Sequence, residues 1–325
     1  MNLRKHPLVV LGLAATLACV GLPAAAATDV TVAYVTAPDS PQGAQVKHFI
    51  ELVNKEMPGQ FNFKVFPSGQ LGTESSGLRQ LQVGTLDMAN LVTPITEAVP
   101  KMGIFDLPFL FKGDEHARRA LTPELRDEMR QTVEGATGLT LLGIYDTGFR
   151  QVISKRPIHT VADMAGVRIR VPGGALRQQL FKDLGANPTP IDWTETYTAL
   201  QTGVVDGVEA AIYGHYEAKL YQVAKNLVMT NHAFSQSYLT VSKTFWNKLT
   251  DEQKKQFRKI GQEMIDWSFD YSIDTAQKDL DVMKADGLEI NEINQDEFRK
   301  RVDPIYSAYI KKYGDSWVKA IDSVQ

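Results

Sequence analysis

Cysteine is almost missing from this sequence: its 325 residues include one, Cys19, inside an N-terminal apolar run. A chain that sheds that run has no thiol. It then forms no disulfide and offers neither a cysteine nucleophile nor a thiolate metal ligand. Histidine is sparse too. His6, His48, His116, His159, His215 and His232 are scattered, with no pair at metal-ligand spacing on one predicted helix, so they read as surface or capping residues. No glycine-rich phosphate loop, nucleophile elbow or H-E-x-x-H zinc motif occurs. Acids are numerous, but none stands out as half of an acid–base pair. Charges interrupt every apolar stretch after the N-terminus, so no later segment reads as a membrane span.

What is present begins with a leader. Arg4 and Lys5 precede the apolar run Leu8–Leu22, and Pro23 with Ala24 to Ala27 supplies small residues for cleavage. This is the pattern of a secretory signal peptide over residues 1–27, which places the mature protein in the periplasm. An uncleaved anchor is one alternative. A lipoprotein is another, although Thr16 stands where leucine usually precedes a lipidated cysteine by three residues. Loss of Arg4 and Lys5 leaves 33 basic against 38 acidic side chains, a net charge of −5. That balance disfavours nucleic acid as a partner and requires any anion site to be built locally from particular arginines. The remaining 298 residues can bury a sufficient core and exceed a typical single one, so two lobes are expected.

Alternation and period order the elements. Val30–Tyr34 and Phe61–Phe66 alternate as strands, and Leu86–Val92 reads as a buried one. Ser40 followed by Pro41 predicts a helix start, and a helical stretch carries Leu78, Leu81 and Val83. Strand and helix alternate, which predicts an α/β fold with a largely parallel sheet. A second unit follows, with strands at Thr140–Tyr145, Gln151–Ile153 and Val167–Val171. Helices are expected at Ala175–Leu184 and Glu195–Thr202, the latter capped by Thr194, and a further strand at Phe234–Ser242. From Thr250 a long helix begins, with Gln253 completing a capping box. No linker or repeat separates the units, so the chain is expected to cross between lobes more than once.

The segment Val167–Gly174 is the most informative. Arg168 and Arg170 share one strand face, and Pro172-Gly173-Gly174 ends the strand just beyond Arg170. Ligands of open α/β sheets bind outside the carboxyl ends of strands, which favours Arg170, whose guanidinium can hold a carboxylate by two parallel hydrogen bonds. A solvated strand face carrying two arginines explains the same pattern. Trp193 fits either a ligand wall or core packing. Arg150, after the strand Thr140–Tyr145, and the Asp206–Glu209 turn add weaker signals.

Seven strings in order then carry a resemblance: Val65–Gly72 (VFPSGQLG), Gly84–Met88 (GTLDM), Phe105–Phe111 (FDLPFLF), Gly148-Phe149-Arg150, Gly166–Pro172 (GVRIRVP), Leu184–Pro188 (LGANP) and Glu195–Gly207 (ETYTALQTGVVDG). Over essentially the whole mature chain the sequence resembles the TRAP-type substrate-binding proteins of the dicarboxylate-binding branch. The resemblance implies a two-lobed periplasmic binding protein fold with hinge-crossing strands and a long hinge-spanning helix. Residues 28–148 plus 236–275 would form lobe I, and 149–235 plus 276–325 lobe II. It implies a monomer without enzyme activity, cofactor or metal, which closes on a small carboxylate and delivers it to the membrane permease. Arg170 would clamp the carboxylate, Arg150 would be a second arginine of the site, Trp193 would cover the ligand, and Glu74 would supply a polar group from lobe I. Near Glu209, where many members carry asparagine, this chain has Ala210; the pocket loses a donor that Tyr213 would have to replace. That departure leaves uronates, hydroxy and keto acids, and cyclic acids open. A receptor-linked sensor would share this chemistry, whereas a secreted lyase or hydrolase would need a catalytic group that the motifs do not supply.

Overall fold

The computed structural model describes residues 27–324, so the expected signal peptide lies, but for Ala27, outside the described residues. The first unit runs β1 (Thr28–Ala33), α1 (Pro41–Glu56), β2 (Phe61–Phe66), α2 (Glu74–Val83) and β3 (Met88–Leu91). β1 pairs in parallel with both β2 and β3. α1 begins where expected, because the Ser40 side chain accepts the Gly43 N–H and Pro41 needs no amide partner at the first helical position. α3 (Thr93–Ala98), a 3-10 turn (Pro100–Asp106), α4 (Asp114–Ala120) and α5 (Pro123–Thr137) lead to the second unit.

That unit comprises β4 (Thr140–Ser154), β5 (Arg168–Val171), α6 (Ala175–Asp183), β6 (Asn187–Pro190), α7 (Thr196–Gln201), β7 (Gly207–Ala211) and α8 (Ile212–Glu217). β5 pairs in parallel with β6 and β7. The return runs through β8 (Asn226–Val241), α9 (Lys243–Trp246), α10 (Asp251–Ala285), β9 (Glu289–Asn291) and the C-terminal helices α11 (Gln295–Arg299), α12 (Asp303–Tyr313) and α13 (Ser316–Asp322). Strand order is β2-β1-β3-β8-β4-β7-β5-β6, with β9 beside β8.

The sheet is therefore mixed where a largely parallel one was expected. Each lobe keeps its parallel set, but β4 and β8 stand between them and pair antiparallel to each other and to the flanking strands β7 and β3. The predicted strands 140–145 and 151–153 are one strand of 15 residues, and 234–242 is the end of one of 16. The Asp146-Thr147-Gly148 sequence reads as a break, yet Gly148 at φ +88° sits at a register shift in the ladder. A bulge bends a strand without ending it, and glycine takes that positive φ without strain. Thr194 does not cap α7. It lies within a 3-10 turn, Trp193–Glu195, and the Thr196 hydroxyl instead bonds the Asp192 carbonyl. The expected Asp206–Glu209 turn is largely strand β7.

α10 runs 35 residues from the predicted Thr250/Gln253 capping box. It lies along β4, where the Ser268 hydroxyl accepts the Asp146 N–H and the Tyr145 hydroxyl donates to the Gly261 carbonyl. A Cβ at Gly261 would stand 2.5 Å from the Leu142 carbonyl oxygen. The main core joins Phe49, Phe61, Phe245 and Phe257 to Ile169, Leu180 and Phe181 of the second unit, whereas Leu200, Val208, Leu220, Leu227 and Met283 form a smaller core in the second lobe. Tyr306, Tyr309 and Trp317 of the C-terminal helices bond Pro108, Lys101 and Glu128.

Gly261→Ala should push α10 off β4, since rigid backbone cannot move aside. We expect a loss of roughly 1–3 kcal/mol, as for other overpacked contacts, read as a lowered thermal midpoint. An unchanged midpoint would show that the helix does not bear on the strand.

Candidate ligand site

The cleft between the lobes holds a cavity of about 410 Å³, lined by Gln42, Glu74 and Thr93 from the first lobe and by Arg150, Arg170 and Trp193 among others from the second. It continues into an outer chamber of about 820 Å³ that shares Glu74, Thr93, Arg170 and Trp193. The structure thus brings together six of the seven expected site residues: Arg150, Arg170, Trp193, Glu74, Ala210 and Tyr213.

The two arginines of β5 part company. Arg168 is largely exposed and forms an ion pair with Asp206, 2.6 Å apart. Arg170, one pleat repeat on, is 2% exposed. Its Nε donates to the Ile191 carbonyl at 2.8 Å, and its guanidinium carbon lies 5.4 Å from the centre of the Trp193 ring. Neither terminal nitrogen of Arg170 has a hydrogen-bond partner among the described residues. Burial, with the nearby Arg150 and Arg177 charges, pushes this guanidinium down to about 9, against the pull of Glu209 and Glu74. It remains a cation at neutral pH, in a place where a cation is costly without an anion.

Arg150 is in a different state. Its Nε donates to Glu209 Oε2 at 2.5 Å, one terminal nitrogen to the Glu209 carbonyl and the other to the Ser235 hydroxyl. Glu209 is fully buried behind Arg150 and does not line the cavity, which corrects its expected place at the ligand. Burial alone would raise its carboxyl, but Arg150, His232 and Arg177 outweigh it and hold the group well below the usual carboxylate range. His232 approaches Glu209 Oε2 at 3.3 Å, and the Thr230 hydroxyl meets its other ring nitrogen at 2.8 Å. Burial lowers the His232 pKa, so the ring is neutral, donates through Nε2 and accepts through Nδ1.

Glu74 accepts the amides of Val92 and Thr93 at the start of α3, at 2.9 and 3.4 Å. Burial raises its pKa despite those bonds. Ala210 presents only a methyl group, and the Tyr213 hydroxyl beside it has no hydrogen-bond partner among the described residues. Gly214 makes room for the indole, because a Cβ there would stand 2.9 Å from Trp193.

Sequence reasoning missed Thr36, Gln42 and Thr93, which join the cavity from three separate segments. It also missed Arg177, 1% exposed and 2.7 Å from Asp106, whose guanidinium donates to the Thr93 hydroxyl. Arg177 lies in a predicted helix among other polar residues. Only its place in the first turn of α6, seven residues after Arg170, offered any signal.

The chain is similar to known solute-binding proteins. The sequence pattern of bacterial extracellular solute-binding protein family 7, DctP, matches residues 32–312. The 2,3-diketo-L-gulonate-binding periplasmic protein of Escherichia coli K12 is 30% identical over 92% of this chain and 93% of its own length. A TRAP periplasmic solute-binding protein of Polaromonas sp. JS666, solved with D-erythronate, superposes with a TM-score of 0.87 at 32% identity, over 92% of this chain and 99% of its own. One from Pseudomonas putida F1, solved with D-glucuronate, gives 0.88 at 27%, over 91% and 97%.

Glu209→Ala would strand the Arg150 charge inside the protein. Breaking a buried pair in this way costs about 3–5 kcal/mol, which urea unfolding would report. A loss under about 1 kcal/mol would mean that Arg150 does not depend on Glu209.

Proposed function

From the premise that this chain belongs to bacterial extracellular solute-binding protein family 7 and is the solute-binding protein of a TRAP transporter, we propose that Arg170 clamps a small hydroxy or keto acid with a single carboxylate. The protein is a carrier and not an enzyme. One observation carries the reading: Arg170 is a buried cation at the cavity whose terminal nitrogens have no partner among the described residues. A carboxylate can take both in parallel hydrogen bonds.

The count of charges supports one carboxylate rather than two. Arg150 is neutralised by Glu209 and Arg177 by Asp106. Glu74, Glu97, Asp192 and Glu195 line the outer chamber, and a second carboxylate there would meet like charge. Hydroxyl groups suit Gln42, Thr93, Glu74 and the Tyr213 hydroxyl, the last standing in for the donor that Ala210 lacks. The relatives solved with D-erythronate and D-glucuronate and the 2,3-diketo-L-gulonate-binding protein support this class.

Capture proceeds by hinge closure. The expected lobe boundaries support this, because Gly148 pairs with Ser235 in the β4–β8 ladder and Asp146 with Gln236. The two changes of lobe within the sheet, at 148/149 and 235/236, would then flex together, and the third, at 275/276, falls within α10. Glu74 and Trp193 meet the ligand from opposite sides as the lobes close. The protein acts as a monomer in the periplasm after its signal peptide is removed near Ala27 or Thr28, and hands its ligand to the membrane permease. Its net negative charge suits no nucleic-acid partner.

A thermal-shift screen of the purified protein should find a hydroxy or keto monocarboxylic acid that stabilises it by about 2.7 kcal/mol at 100 times Kd. Arg170→Ala should lose roughly 2–5 kcal/mol of binding, about 30-fold to several thousandfold at 1.4 kcal/mol per decade. A mutant within about threefold of wild type would remove Arg170 from the role. Succinate binding as tightly as the best monocarboxylate would overturn the selection of one charge.

A further inference from the structure

The loop Tyr34–Ser40 and the end of α8 meet over the cleft from opposite lobes. There Glu217 Oε2 accepts the Ala37 N–H at 2.9 Å, across 180 residues of sequence. The strands that lead to the two groups, β1 and β7, are separated in the sheet by β3, β8 and β4. A hinge motion that parts the lobes cannot keep a bond of that length. The loop is seated for the contact: a Cβ at Gly43 would stand 2.3 Å from the Pro38 carbonyl, so only glycine lets the loop pack down on α1, and Thr36 bonds Ser40 at 2.7 Å. The Trp193 indole faces the same carboxylate and favours its charged form. The ring of Trp193 lies between Gly214 and the Arg170 guanidinium.

We propose that Glu217 is a positioning residue for ligand capture, a latch that engages the Ala37 N–H as the lobes close and steadies Trp193 beside Arg170. The proposal rests on the reading of the cleft given above. The latch is also linked to protons. Asp279 faces it from α10, with Lys278 beside that aspartate; Tyr34 and Asp39 belong to the opposing loop, and Tyr213 to its own helix. No lysine or arginine pairs with Glu217 among the described residues, and its Oε1 has no hydrogen-bond partner there. Burial, reinforced by Asp279, raises the Glu217 carboxyl to about 8 against the Ala37 and Trp193 N–H groups. In an open cleft the group faces water and returns to the ordinary carboxyl range, about 4.3. The closed value is the higher one, so closure takes up a proton. Its contribution is complete below the ordinary range and is lost as pH rises through about 8. Asp279, raised to about 6, titrates below the upper part of this window.

Calorimetric titration between pH 6.5 and 8.5 tests the latch, with whichever of D-erythronate, D-glucuronate and 2,3-diketo-L-gulonate stabilises the purified protein most. The wild-type Kd should weaken on the order of 20-fold over that range, with uptake of nearly one proton per ligand at its acid end. Glu217→Gln keeps a carbonyl for the Ala37 N–H but cannot titrate, so its Kd should vary by less than about twofold. Glu217→Ala should also give a flat profile, and should bind more weakly than Glu217→Gln at every pH because it cannot accept the Ala37 N–H. A flat wild-type profile, or a wild-type slope in Glu217→Gln, would overturn the proposal. Absence of binding to all three acids at every pH would overturn the reading of the cleft, and the latch with it.

Discussion

The antiparallel ladder between β4 and β8 passes through both lobes, and the cleft, the buried charges and the long helix all take their positions from it. Arg150 sits within that ladder, paired with Ala233 on one side and with Ala211 of β7 on the other. Glu209 reaches it from β7, and Ser235 and His232 from β8. A guanidinium so deep requires its hydrogen-bond partners, because burying an unpaired charge costs several kcal/mol. The register of three strands supplies them. α10 then lies against the same ladder, through Tyr145, Asp146 and Gly261, so a bend in the crossing strands must be shared by the helix.

Against that satisfied pair, Arg170 stands out by what it lacks. Three guanidiniums gather near the cavity. Two have carboxylates of their own, and Arg170 has a carbonyl, an aromatic face and two unused nitrogens. The Ile191 carbonyl and the Trp193 ring are what hold this cation in place. On the proposed reading a ligand carboxylate would relieve the cost of its burial directly, so that stored electrostatic disadvantage becomes binding energy. The same reasoning accounts for the acids of the outer chamber. On the proposed reading they would add no affinity for an anion but would set a penalty against ligands that carry a second charge, and specificity is a difference between affinities.

Closure also has a cost on the protein side. Glu217 leaves water when the lobes meet and finds one well-formed amide bond in return. Its contact is local, yet it bears on the wall of the site, since Trp193 is held between Gly214, Arg170 and this carboxylate. The hinge, the aromatic wall and a titrating acid thereby form one mechanical unit.

Local pattern was enough for much of this protein. Ser40 and Thr250 started their helices as predicted, Phe61–Phe66 formed its strand, and Arg170 was picked out by its place before Pro172 and Gly173, because capping, alternation and strand ends are properties of neighbouring residues. Two lobes and a long helix followed from length, period and the quoted strings. The continuity of β4 was hidden by Gly148, whose positive φ signals a turn in isolation and becomes a bulge only when β8 supplies the ladder. The strand end favoured Arg170 over Arg168, but the ion pair of Arg168 with Asp206 and the burial of Arg170 were out of reach, since both share one strand face and only the packing of β6, β7 and Trp193 buries one of them. Glu209 as a partner of Arg150, Arg177 with Asp106, and Glu217 with Ala37 unite residues 59, 71 and 180 positions apart. The sequence by itself therefore determined the elements and the chemical type of the site. The tertiary structure decided which of the buried guanidiniums are cancelled and which one keeps no carboxylate partner among the described residues, because burial and partnership are set by contacts between distant segments.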